Sequence, residues 1–119
     1  MTSKKDLKQF IIEGIHERKG RSVSVIDFSH IDTAATGAFI IAEGNSTTHI
    51  DSIADCVEEY VRENAGVKPY GIDGDDSSDW VIMDYGNVWV HIFLPETRRR
   101  YNLEDLWSDA RITEVADID

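Results

Sequence analysis

The chain contains a single cysteine, Cys56, so no internal disulfide can form and a thiolate-rich zinc centre is excluded with it. That agrees with a reducing cytosol. Positive charge is also scarce: 12 Lys and Arg stand against 23 Asp and Glu, leaving a net charge of −11 and a pI near 4.6. A nucleic-acid backbone would be repelled by most of such a surface, so a basic protein is the better macromolecular partner. No segment approaches the ~20 apolar residues of a membrane helix, and the N-terminal MTSKKDLKQFIIEG has no apolar run long enough for a signal peptide. The expectation is a soluble, cytoplasmic chain with no membrane partner. What is present is core material, since 41% of the residues are hydrophobic. One domain is expected over 1–110, followed by an acidic tail, 111–119, that is expected to fray.

Leu7, Phe10, Ile11 and Ile15 recur at helical spacing behind a Ser3-x-x-Asp6 start, which predicts an amphipathic helix from Ser3 to about Arg18. Ser22 to Phe28 alternates like a strand, and the short apolar run Ala38 to Ala42 suits a strand buried on both faces. Ile50, Ile53, Ala54, Val57 and Val61 mark a helix from Ser46 to Asn64, closed by Gly66. Pro69 to Asp73 reads as a brief edge strand and GDDSSD as a polar loop. A hairpin follows, DWVIMDYGNVWVHIF, which Pro95 halts; Asn102 then caps a short helix, LEDLWSDA. The order predicts a mixed five-stranded α/β sheet with flanking helices, the long helix returning the chain parallel.

If Gly86-Asn87 is a two-residue loop, Tyr85 pairs with Val88, Asp84 with Trp89, Ile82 with His91 and Trp80 with Phe93. One face then carries Val81, Met83, Tyr85, Val88, Val90 and Ile92, an aliphatic set suited to helices. The other carries Trp80, Ile82, Asp84, Trp89, His91 and Phe93. Partner-binding patches are enriched in such aromatics with polar tips, yet helices covering both sides would make the same residues core. Both readings stay open at this level.

These residues have a further resonance. WVIMDYGNVWVHIF, then PETRRRYNLEDLW, with FIIAEGNSTTHIDSIADCVEE upstream, resembles the ribosomal silencing factor family, also called Iojap, over about Lys5 to Ala110. The resemblance implies a fold related to nucleotidyltransferases but lacking their catalytic acids. It also implies a translational repressor that binds the large ribosomal subunit through ribosomal protein L-fourteen and blocks joining of the small subunit. It places Trp80, Asp84, Tyr85, Gly86 and their neighbours Asn87, Trp89 and His91 at or near the partner surface. The residues themselves point to Asn45, Ser46, His49 and Arg98 as secondary contacts, with a minor contact to ribosomal RNA, and the resemblance implies a homodimer in the free state. Two departures stand out: Asn87 replaces a usual acid, and Glu43-Gly44-Asn45-Ser46 replaces a usual Ser-Gly-Asn-Ser. The first removes a charge that would face a basic partner; Glu43 reads as a solvated strand end.

Two other classes remain as alternatives, a nucleotidyltransferase-like enzyme and a small homodimeric scaffold. A transferase needs a Gly-Ser turn entering a helix and two acids alternating on a later strand to hold metal and phosphates. Gly44-Asn45-Ser46 resembles the turn, but Asp84 has no acid two residues away and Asp73, Asp75 and Asp76 sit in a loop. Ser46 is better read as a helix N-cap. His-Ile-Asp occurs at His30–Asp32 and at His49–Asp51, too few donors for zinc. No catalytic residue, metal or cofactor is expected. Arg98, Arg99 and Arg100 can meet RNA phosphates or pair with Glu104, Asp105 and Asp109, while Leu103 and Trp107 read as core.

Overall fold

A computed structural model describes residues 6–31, 36–74 and 78–118. The chain runs α1 (Leu7–Glu17), β1 (Arg21–Asp27), β2 (Ala38–Glu43), α2 (Thr47–Ala65), β3 (Gly71–Asp73), β4 (Trp80–Asp84), β5 (Val88–Phe93), α3 (Pro95–Tyr101), α4 (Leu103–Leu106) and β6 (Arg111–Val115). The strands form one sheet in the order β3-β4-β5-β2-β1-β6. β2 and β5 are parallel and every other neighbouring pair is antiparallel. The mixed α/β architecture with flanking helices is as expected, but the sheet has six strands rather than five.

The first helix starts at Asp6, which accepts from the Gln9 amide while Gln9 caps the Asp6 amide in return. The expected start at Ser3 lies outside the described residues. Ser46 caps α2 by accepting from the His49 amide, and Gly66 ends it in the left-handed conformation. Ile11 and Ile15 of α1 pack with Ile50, Ile53, Val57 and Val61 of α2 over Ile40, Ala42, Val81, Met83, Val90 and Ile92. This is the main core, and it lies on the aliphatic face of the hairpin.

In the C-terminal third one expectation is extended and two are corrected. Pro95 ends β5 but also opens α3 as its first helical residue, where its fixed φ fits and its missing N–H costs nothing. The helix expected over LEDLWSDA is a single turn, Leu103–Leu106, capped by Asn102. The tail expected to fray supplies β6, which pairs with β1 from Val23↔Val115 to Asp27↔Arg111. It is mostly exposed, so main-chain hydrogen bonds to the edge of β1 hold it rather than apolar burial.

Candidate functional site

Gly86 and Asn87 form the two-residue turn, with the register expected: Tyr85 N–H donates to the Val88 carbonyl at 2.9 Å, and Asp84↔Trp89, Ile82↔His91 and Trp80↔Phe93 are opposite. Gly86 has φ 85°, and Asn87 is not among the positive-φ residues, so glycine at the first central position makes the type II′ turn that suits a twisted hairpin. Asp84 Oδ1 accepts the Gly86 N–H at 2.7 Å, the Asn87 carbonyl accepts from Gly37 and Ala38, and Thr36 Oγ1 donates to the Gly86 carbonyl. The turn is therefore pinned to β2. The Asn87 side chain lies where a Cβ at Gly37 would sit, and the Tyr70 ring, 84% exposed, lies against Gly86.

The second sheet face is covered only in part. Ile26, Phe28, Ile41 and Phe93 form a small core beneath Leu103, Trp107, Trp80 and Phe39. A seven-residue helix is about 10 Å long, whereas six strands about 4.8 Å apart span roughly 24 Å. The α3–α4 segment thus leaves one end of the face open. There, Ile82, Asp84 and Trp89 are part-exposed and belong to neither core cluster. Among the described residues, Trp89 has neither a ring contact nor a hydrogen-bond partner for its indole N–H. Gly86 and Asn87 are exposed at the same end.

Two of the expected surface residues lie beneath it. Tyr85 points to the helix side, is 4% exposed, and has its hydroxyl pKa pushed up by burial and by the Glu58 charge. His91 is also 4% exposed. Its Nδ1 accepts the Trp80 indole N–H at 3.1 Å, which leaves the proton on Nε2, and burial holds its pKa down to about 4. Trp80 stands between the two regions, stacked 4.8 Å from Phe93 and tilted against Tyr101 at 4.7 Å.

Of the expected secondary contacts, Asn45 and Ser46 are exposed at the start of α2, whereas His49 and Arg98 are tied into the fold. His49 Nδ1 accepts the Asn45 N–H at 2.9 Å and its Nε2 donates to the Arg18 carbonyl at 2.6 Å, so both ring nitrogens tie the β2–α2 turn to the end of α1. Arg98 is turned inward with its side chain 11% exposed, reaching Glu43 at 3.0 Å, Glu104 at 2.7 Å, Ser24 at 3.0 Å and the Ser22 carbonyl. Glu43 is therefore an ion-pair partner and not a solvated strand end. That pairing was hidden because it joins residues 55 apart along the chain. Sequence reasoning also passed over Ile82 as a site residue, although the alternation places it between Trp80 and Asp84, and over Tyr70, whose N–H donates to the Asp84 carbonyl. Of the metal-like motifs, Asp32, Asp75 and Asp76 lie outside the described residues.

The whole chain, residues 1–119, matches the family model described as "Ribosomal silencing factor during starvation". The chain belongs to the ribosomal silencing factor family. A ribosomal silencing factor of Chromobacterium violaceum is 33% identical over 102 residues, covering 86% of this chain and 82% of that protein. A mouse protein named "Mitochondrial assembly of ribosomal large subunit protein 1" is 30% identical over 112 residues, which cover 89% of this chain and 49% of the mouse protein. A crystal structure of a C. violaceum protein superposes with a TM-score of 0.80 at 33% identity, covering 86% of this chain and 83% of that one. Among the described residues of this silencing-factor chain, no helix is long and apolar enough to cross a membrane.

Proposed function

We propose that this chain represses translation by seating the open end of its second sheet face on ribosomal protein L-fourteen of the large subunit, where its bulk obstructs joining of the small subunit. The observation that carries the reading is Trp89, a half-buried indole with no ring or hydrogen-bond partner among the described residues, beside the Asp84 carboxylate and the exposed Gly86-Asn87 turn. Aromatic anchors of this kind dominate protein–protein affinity, and acids beside them favour a basic partner. The net charge of −11 points the same way. The family name supports silencing, and the mouse relative is named for assembly of the large subunit. The chain acts in the cytoplasm, as a steric block and not as an enzyme. Ser46, the residue a transferase would use at its phosphate turn, caps α2, and one Asp84 oxygen holds the hairpin turn.

Co-sedimentation with isolated subunits tests the reading: recovery with large and not small subunits is expected, and equal recovery with both, or with neither, overturns it. Trp89→Ala should weaken binding by about 2 kcal/mol or more with little effect on melting. Trp80→Ala should behave differently, losing about 2–4 kcal/mol of stability because its ring packs between Phe93 and Tyr101. Asp84→Asn keeps the acceptor for the Gly86 amide while removing the charge, so it separates the turn from the contact.

A further inference from the structure

The longest basic run of the chain, Arg98 to Arg100, is divided by the fold. Arg98 is consumed by Glu43, Glu104 and Ser24. Arg99 and Arg100 on the outer side of α3 are exposed and, among the described residues, have no ion-pair partner. Tyr101, the next residue, is 49% exposed. Its ring lies 4.7 Å from Trp80, and Trp80 lies 4.8 Å from Phe93, which is fully buried. Three rings thus form a ladder from the core to the surface, and the ladder holds Tyr101 from below. Trp80 also precedes Ile82 on the same face of β4, so the ladder borders the open end described above.

Two guanidinium groups with no ion-pair partner among the described residues, beside a fixed, half-exposed ring, have the chemistry of a single-stranded RNA contact. The cations neutralise phosphates, and the ring offers a stacking face to any base. In a chain of net charge −11, this is a local reversal of sign on an exposed helix surface. An acidic protein segment would satisfy the guanidinium groups but make no use of a ring buttressed in this way.

We propose that Arg99, Arg100 and Tyr101 form a docking surface for an unpaired RNA segment at the border of the protein contact. The inference rests on the ribosome reading, since the acidity of the rest of the chain disfavours free RNA and the contact operates once the protein is seated. The probe is therefore the purified large subunit, titrated with the full chain at rising salt. The variant R99Q/R100Q should bind more weakly, and the slope of log affinity against log salt should shrink by about 1.4, at ~0.7 per phosphate contact on a single strand. Tyr101→Ala should lower affinity by about fivefold or more, whereas Tyr101→Phe, which keeps the ring, should stay within about twofold. A photo-crosslinking group at position 101 should label RNA. An unchanged slope in R99Q/R100Q, or label in ribosomal protein alone, overturns the proposal and leaves the ribosome reading standing. If Tyr101→Ala melts early, R99Q/R100Q and Tyr101→Phe carry the decision, because neither removes the ring. A wild-type chain that fails to bind large subunits overturns both readings.

Discussion

His91 shows how a residue that reads as a surface group becomes structural. Alternation places it on the same face as Asp84 and Trp89, but Phe39 lies 4.5 Å away and Trp80 donates to its Nδ1, so the ring is buried neutral. Burial lowers its pKa to about 4, against about 6.5 in the unfolded chain. Between those values the unfolded state binds more protons than the folded one, so stability is full above about pH 6.5 and is lost as pH falls toward 4, by up to about 3 kcal/mol. His91→Gln retains an acceptor for Trp80 and removes the titration. Denaturant unfolding at pH 7 and pH 5 should show a smaller loss in the variant than in the parent by about 2 kcal/mol, and equal losses would mean that His91 is not buried neutral. Arg98 makes the same point for charge. Its spacing from Glu104 was readable, but its pairing with Glu43 depends on β2 and α3 meeting in space.

At the scale of elements, the hairpin was legible down to its pairing because two residues, Gly86 and Asn87, set the loop length and an alternation of period two sets both faces. α2 was legible because Ser46, five apolar positions and Gly66 agree on one helix. β6 was not, because Arg111–Val115 buries little and its sequence carries no apolar signal beyond Ile112 and Val115. It is a strand because β1 offers an unpaired edge and because Asp117 accepts the Ser22 N–H at 2.8 Å and pairs with Arg21 at 3.2 Å. Deleting residues 111–119 should therefore cost about 1–3 kcal/mol, the net worth of a few ladder hydrogen bonds. It should also expose β1 to edge-to-edge association. Thermal melting and size-exclusion chromatography read the two effects, and an unchanged melting temperature with a monodisperse profile would show that the strand contributes nothing.

For the whole molecule, 23 acids against 12 bases make self-repulsion the largest long-range electrostatic effect, while the Arg98 network is the local attraction that salt would weaken. The network is mostly shielded from solvent, so screening should act chiefly on the repulsion. Raising salt from about 20 to about 200 mM shortens the screening length from roughly 20 to roughly 7 Å, and the melting temperature should rise by a few degrees. A fall would mean that exposed ion pairs outweigh repulsion. The same separation of local from long-range effects divides what could be read from what could not. The amino-acid sequence by itself determined the α1, α2 and hairpin elements, the parallel return of the chain and the two chemically different faces of the hairpin, since each follows from spacing within a short window. Only the tertiary structure decided which part of the second face stays open. That depends on how far the short α3–α4 segment reaches across six strands, and therefore on distances between residues far apart in the chain. It left Trp89 and Asp84 at the surface and closed over His91.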